Sequence, residues 1–178
     1  MNVWEAVFLG AIQGATEFLP VSSSGHLVVG QTLLGLKIQG VQFEVAVHVA
    51  TLISVIVIYR GRLVDLLHGA LRGNGDAWRY IGLLAVATLP AGLVGVFFKD
   101  PIQEFFESPF VPATAFLVTG LILWTMRRAL GREDWKEPGW RVALLIGFAQ
   151  AFALVPGISR SGTTVVTAVW LGVDAEEA

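Results

Sequence analysis

Long apolar runs dominate the chain, and three of them approach the length of a membrane-spanning helix. These runs cover residues 41–59, 78–98 and 111–126, and the third is the shortest. A helix that crosses the hydrocarbon core of a bilayer needs about 20 mostly apolar residues. The pattern therefore predicts three membrane spans, connected by more polar segments.

Two further apolar runs, residues 4–36 and 142–173, are each interrupted near the middle by proline, glycine and serine. We name the two polar clusters the first tip (residues 20–26) and the second tip (residues 156–162). Irregular backbone at membrane depth is tolerated only where protein or a water-filled cavity satisfies its polar groups. We therefore expect each run to form a re-entrant helix–loop–helix, which enters and leaves the membrane on the same side.

The two interrupted runs resemble each other at a constant spacing of 137 residues. The matching pairs include Gln13 and Gln150, Ser22 and Ser159, Ser24 and Ser161, and Gly25 and Gly162. Three predicted spans separate the runs, so the second run must enter from the opposite face. This arrangement is an inverted-topology repeat, whose ligand sites lie where the repeats meet. We assign residues 1–140 to the first repeat and residues 141–178 to the start of the second.

The second repeat is incomplete in this sequence. A full pair of repeats would need roughly 265 residues by the same spacing, whereas the chain has 178 residues. We therefore expect the chain to be a fragment that lacks its C-terminal third.

Composition favours an all-α integral membrane protein and removes several other classes. Hydrophobic residues make up 54% of the chain and charged residues 15%, whereas soluble domains carry about 25% charged residues. The formal net charge is −2. The sequence contains no basic run with interleaved aromatic residues, which is the pattern that would indicate nucleic-acid binding. The chain has no cysteine, which excludes disulfides and cysteine nucleophiles.

Charge also predicts the orientation of the spans. Segment 60–79 holds four arginines and segment 127–141 holds five Lys or Arg residues, whereas segment 99–110 holds one lysine. Lys and Arg concentrate on the cytoplasmic side of membrane proteins. We therefore expect the first and last of these segments to face the cytoplasm and segment 99–110 to face outside.

The first tip and the helix before it hold the candidate chemistry. Glu17 is ionisable and lies in an apolar run, which is a functional hypothesis by default, and Gln13 lies one helical turn earlier. Serine hydroxyls and backbone N–H groups at a helix N-terminus suit phosphate. A serine that attacks needs a nearby base, and Glu17 or His26 would serve. The structural alternative is that the serines only cap a helix and Glu17 pairs with a basic group.

Arg160 is the only charged residue of the second tip, and its planar guanidinium matches phosphate oxygens. The structural alternative is an ion pair between Arg160 and Glu17 across the repeat interface. On the first span, Glu44 and His48 lie one helical turn apart. We expect them to line the cavity between the two tips and to support the residues that contact phosphate. Taken alone, His48 is more often a satisfied interior histidine than a ligand.

The two tips resemble the two signature motifs of the undecaprenyl-diphosphate phosphatases, the bacitracin-resistance family. The resemblance rests on QGATEFLPVSSSGHL, residues 13–27, and PGISRSG, residues 156–162, and it extends to about Gly172. Members of this family are bacterial membrane enzymes that remove one phosphate from undecaprenyl diphosphate, which recycles the lipid carrier of cell-wall synthesis. The resemblance implies inverted repeats, a plasma-membrane location, a site that opens to the periplasm, and a divalent cation, Mg²⁺ or Ca²⁺.

The resemblance also implies roles for individual residues. Ser23 and His26 stand at the places implicated in catalysis, Arg160 at the phosphate clamp, and Glu17 at a place for acid–base or metal work. The family often has Glu where this chain has Gln13, so we expect Gln13 to be a second, weaker metal ligand beside Glu17. The residues expected to contact phosphate are Ser22, Ser24, Gly25, Ser159, Arg160, Ser161, Gly162 and Thr164. The expected partners are a polyprenyl diphosphate and membrane lipids, with a homodimer as one candidate assembly and no nucleic acid.

Two other functions stay open at this point. Inverted repeats whose tips meet also suit alternating access, so a lipid-phosphate transporter or flippase is the alternative. A remnant that binds lipid phosphate without turnover is the third. The sequence also leaves open whether Ser23 or a water molecule attacks the phosphoryl group.

Overall fold

A computed structural model describes residues 1–36, 41–130 and 137–174 of the chain. The described residues form α-helices and contain no β-strand, which confirms the predicted all-α class. The helices are α1 (Val3–Glu17), α2 (Ser23–Leu33), α3 (Gln42–Leu71), α4 (Gly75–Phe97), α5 (Lys99–Glu107), α6 (Phe110–Ala129), α7 (Trp140–Phe152) and α8 (Arg160–Trp170).

Helices α3, α4 and α6 are long and apolar enough to cross a membrane, and they cover the three predicted spans to within one residue. Their outward faces carry large exposed apolar side chains, such as Leu52, Leu89 and Leu117. Contiguous exposed apolar surface of this extent indicates contact with lipid rather than water. The chain is therefore an integral membrane protein.

The first of these helices extends well beyond its predicted span. α3 continues to Leu71, and only residues 72–74 separate it from α4, so the predicted loop 60–79 is mostly helical. Apolar length marks the part of a helix that lies in the membrane, but arginine and leucine continue a helix equally well outside it. The chain turns where Gly73 adopts a positive φ of 76°. Asn74 then caps α4 by accepting a hydrogen bond from the Asp76 backbone N–H at 2.9 Å.

Each interrupted run forms two helices joined by a turn, with α1 packed on α2 and α7 on α8. The repeat in sequence is also a repeat in local structure, because α2 and α8 are both 11 residues long and begin 137 positions apart. Both end with the same hydrogen bond, from Leu34 N to Gly30 O at 3.1 Å and from Leu171 N to Thr167 O at 3.0 Å. The inverted orientation of the two repeats stays a prediction.

Helix α6 supports both halves of this arrangement, because α2 and α8 both pack against it. A small apolar cluster of Ala115, Ala153, Val155 and Ile158 seats the second tip on α6. α4 packs along α7, with Gly147 so close that an added Cβ would lie 2.8 Å from Pro90 Cγ. The two tips are therefore held between helices rather than on free loops.

Candidate active site

The two tips are in direct contact, through a hydrogen bond and through close packing of two glycines. The Gly157 N–H donates a hydrogen bond to Ser22 Oγ at 3.1 Å. A Cβ atom added to Gly25 would lie 2.7 Å from Gly157 Cα, which is closer than Cβ atoms approach other atoms. Gly157 also has a φ of 98°, in the left-handed region that glycine adopts at no steric cost. Both positions therefore require glycine.

Two serines cap the helices that leave the tips. Ser22 Oγ accepts a hydrogen bond from Gly25 N at 3.4 Å, and Ser159 Oγ accepts one from Gly162 N at 3.0 Å. Ser22 does so with a positive φ of 66°, the only described residue other than glycine in that region, and such backbone costs about 1–3 kcal/mol. For Ser22 and Ser159, the capping alternative is therefore observed.

Glu17 is the centre of the polar contacts at the first tip. Its Oε2 accepts a hydrogen bond from Ser23 Oγ at 2.5 Å and another from Gln13 Nε2 at 2.7 Å. His48 Nε2 lies 3.8 Å from the same oxygen. Among the described residues, no ion pair joins Glu17 to Arg160, so the structural alternative of a pair between them is not formed here.

Two cavities meet at Glu17 and Arg160, which line both. The smaller, of about 230 Å³, lies between the tips and is lined mainly by polar side chains. Its other polar lining residues are Thr16, Ser22, Ser23, Gln150, Ser159, Ser161 and Thr164. The larger, of about 540 Å³, extends along α3 and α5 and has mostly apolar walls. Arg160 is exposed, and within the described part of the chain no acidic side chain pairs with its guanidinium.

Of the four predicted catalytic residues, His26 is the one that lines neither cavity. Its Nδ1 faces the Ser22 carbonyl oxygen at 2.8 Å, one helical turn earlier. Its ring packs against Phe116 of α6, with ring centroids 4.9 Å apart. The structure therefore brings Glu17, Ser23 and Arg160 to one cavity and turns His26 toward α6.

Glu44 and His48 line the larger cavity with Glu17, as their spacing on the first span predicts. The Glu44 side chain is only 4% exposed, and its Oε1 accepts a hydrogen bond from Gln31 Nε2 at 2.7 Å. His48 Nδ1 faces the Glu44 carbonyl oxygen at 2.7 Å. The Glu44 backbone carbonyl therefore sets the orientation of the His48 ring beside Glu17.

Thr119 of α6 is a site residue that was not among those predicted from the sequence. Its hydroxyl donates to the Gly157 carbonyl oxygen at 2.7 Å and accepts from the Ser159 N–H at 3.0 Å. Because Ser22 Oγ accepts a hydrogen bond from the Gly157 N–H, both polar backbone groups of Gly157 have a hydrogen-bond partner. A hydroxyl inside an otherwise apolar stretch of α6 was the available signal, but the sequence does not indicate its partner.

The Glu17 carboxylate is suited to bind a divalent cation. The contacts of Glu17 with Gln13, Ser23 and His48 all go to Oε2, and Oε1 makes no hydrogen bond with the described residues. Gln13 turns its NH₂ group toward Glu17, which is the arrangement of a hydrogen-bond donor. The described residues contain no group of three or more acidic or histidine ligands. A magnesium-type site commonly uses one or two protein ligands plus substrate phosphates, and Glu17 fits that pattern.

Known proteins resemble the chain over nearly its whole length. Residues 6–178 match the family model described as Bacitracin resistance protein BacA. Undecaprenyl-diphosphatase 1 of Bacillus cereus is 42% identical over 184 residues, covering 99% of this chain and 68% of that relative. Undecaprenyl-diphosphatase 1 of Bacillus licheniformis is 44% identical over 181 residues, covering 97% and 67%. The chain thus spans about two thirds of the length of the curated relatives it matches.

Proposed function

The chain belongs to the bacitracin resistance protein family, and from this membership we propose that it is an undecaprenyl-diphosphate phosphatase. It hydrolyses undecaprenyl diphosphate to undecaprenyl phosphate and inorganic phosphate, which recycles the lipid carrier for cell-wall synthesis and confers resistance to bacitracin. The observation that carries this proposal is the Ser23–Glu17 hydrogen bond in a cavity that Arg160 also lines.

The two cavities suit the two parts of a lipid diphosphate. The smaller, polar cavity takes the terminal phosphoryl group, and the larger, apolar cavity takes the first part of the polyprenyl chain. Because Glu17 and Arg160 line both, the diphosphate lies where the cavities meet. The Arg160 guanidinium, which has no acidic partner among the described residues, is available to phosphate oxygens.

The reaction begins with Ser23. Glu17 accepts the hydroxyl proton, Ser23 Oγ bonds to the terminal phosphorus, and the bond from that phosphorus to the bridging oxygen breaks. Undecaprenyl phosphate leaves with the bridging oxygen. A water molecule then attacks the phosphoserine, the bond from phosphorus to Ser23 Oγ breaks, and Glu17 returns its proton to Oγ, which releases inorganic phosphate and restores both residues. Phosphoryl transfer depends chiefly on positioning and electrostatic stabilisation, so this small set of groups is sufficient.

The remaining site residues act around this step. Arg160, Ser161 and the N-terminus of α8 stabilise charge on the phosphoryl oxygens. His26 holds the Ser22 carbonyl and thereby fixes the first tip. A divalent cation, when bound at Glu17, neutralises part of the charge of the diphosphate.

We also infer the orientation in the bacterial plasma membrane. The basic segment 60–79 and the described basic residues Arg127, Arg128 and Arg141 face the cytoplasm, which puts α5 on the outer side. The larger cavity is lined by Lys99 and Gln103 of α5, so the site opens toward the periplasm. The two repeats then have inverted topology, and the substrate enters from the outer leaflet.

Phosphate release from a polyprenyl diphosphate, by purified protein in detergent without a membrane potential, tests the proposed function. We expect steady release that falls at least about 10³-fold in Ser23→Ala, while Ser54→Ala, an exposed hydroxyl on α3, keeps the original rate. Binding without release would support the non-catalytic alternative, and lipid movement that needs a gradient would support the transporter. A phosphorylated Ser23 trapped by acid quench supports serine attack, whereas turnover by Ser23→Ala indicates water.

A further inference from the structure

His48 is held beside the Glu17 carboxylate in an orientation typical of a metal ligand. Its Nδ1 lies 2.7 Å from the Glu44 carbonyl oxygen. A carbonyl oxygen only accepts hydrogen bonds, so Nδ1 carries a proton. In the neutral ring, the lone pair is then on Nε2, which is the nitrogen that faces Glu17. Histidines that bind metals usually donate their other N–H to a carbonyl or a carboxylate in this way.

The distance between the two side chains also agrees with a shared cation. Nε2 of His48 lies 3.8 Å from Oε2 of Glu17, which is longer than the usual 2.7–3.2 Å of an N–H···O hydrogen bond. Two ligands of one small divalent cation, each at about 2.1 Å, lie about 3 to 4.2 Å apart. We propose that Glu17 and His48 Nε2 together form the protein part of a divalent-cation site, with phosphate oxygens of the substrate as further ligands.

The surroundings leave room for those further ligands. The Glu17 and His48 side chains are 30% and 32% exposed, and both line the larger cavity with Ser24 and Arg160. Glu17 Oε1 makes no hydrogen bond among the described residues. Glu44 contributes its backbone carbonyl rather than its side chain, because Gln31 and neighbouring atoms bury that carboxylate.

A nitrogen ligand predicts which cations bind best. Mg²⁺ and Ca²⁺ prefer oxygen ligands, whereas imidazole increases affinity for transition metals such as Mn²⁺. The site should therefore bind Mn²⁺ more tightly than Ca²⁺, and the difference should depend on His48. This inference rests on the proposed function only for the source of the phosphate ligands, because cation binding by Glu17 and His48 needs no turnover.

The test is Mn²⁺ binding to the purified protein, with and without a non-hydrolysable diphosphonate. Electron spin echo envelope modulation detects the ¹⁴N nucleus of an imidazole bound to Mn²⁺. We expect ¹⁴N modulation in the original protein and its loss in His48→Gln, with Mn²⁺ binding weakened about 10-fold. His26→Gln and His68→Gln, the matched controls at the other two histidines, should keep the modulation. Labelling with ¹⁵N-histidine should change the modulation without any substitution.

Three results would overturn the proposal. The first is that Mn²⁺ does not bind saturably, with or without the diphosphonate. The second is that Mn²⁺ binds without ¹⁴N modulation, and the third is that the modulation survives in His48→Gln. Each would show that Glu17 and His48 do not share a divalent cation. Phosphate release by the unsubstituted protein is measured separately, so failure of the cation site and failure of the phosphatase assignment give different results.

Discussion

The close approach of Gly25 and Gly157 makes Gly25→Ala a sensitive test of how the two tips are joined. The added methyl would lie 2.7 Å from Gly157 Cα and 2.8 Å from both Gly157 N and Phe116 Cε1. Two of these atoms are backbone, so rotation of a side chain does not relieve the overlap. Ordinary contact begins at 3.4 Å, so the tips must separate by about 0.7 Å.

That separation has two calculable effects. The Gly157 N–H to Ser22 Oγ hydrogen bond, now 3.1 Å, would stretch to about 3.8 Å and no longer be a hydrogen bond. Overpacking costs about 1–3 kcal/mol, and the lost hydrogen bond costs about 1 kcal/mol more. Arg160 would also move relative to Ser23, and a misplacement of about 1 Å can reduce a rate about 100-fold.

The assay compares phosphate release and thermal unfolding in detergent for Gly25→Ala and Gly14→Ala. Gly14 lies in α1 of the same helix pair, and a Cβ there meets nothing within 4 Å, so its substitution should keep the rate and slightly stabilise the helix. We expect Gly25→Ala to lower kcat about 100-fold and the unfolding temperature by several degrees. A Gly25→Ala protein with kcat within about threefold of the original would show that the tips are not packed as described.

Three further substitutions test other contacts. Thr119→Val removes both bonds to the second tip while keeping the shape, so kcat should fall about 10-fold or more, and Thr119→Ser should restore it; equal rates for both variants would contradict the positioning role. Arg160→Lys should lower kcat/KM about 100-fold, because an ammonium lacks the two-pronged geometry, and an unchanged value would remove Arg160 from phosphate binding. Gln31→Leu leaves the buried Glu44 carboxylate without its donor, so unfolding measurements should show a loss of about 2 kcal/mol; unchanged stability would argue against that bond.

The elements were predictable where one physical signal decides them. Apolar length alone located α3, α4 and α6, because hydrocarbon tolerates little else. The ends of α3 were not predictable in this way, since Arg60 and the residues after it favour a helix whether or not lipid surrounds them. The turn between α3 and α4 depends instead on Gly73 and the Asn74 cap. The distribution of charge does not indicate either of these local signals.

The candidate site was predictable only within each half. Glu17 and Ser23 are six residues apart, and the turn between them brings them together. Sequence proximity also favoured His26 over His48 as the neighbour of Glu17. The Nδ1 of His26 turns back to the Ser22 carbonyl instead, and packing of α3 on α1 brings His48 to the carboxylate. Contacts of that kind depend on how helices dock, which local patterns do not encode.

The bond between Ser22 and Gly157 joins residues that are 135 positions apart in the chain. A ribosome adds about 5–20 residues per second, so roughly 7 to 27 s pass between synthesis of the two partners. During that time the first tip can pack on α1 and, once α6 has been synthesised, on α6. The Gly157 N–H, which later donates a hydrogen bond to the Ser22 hydroxyl, has not yet been made. The order of synthesis therefore makes the junction of the tips a late event in membrane insertion, and the cell gains a working site only after α7 and α8 have docked.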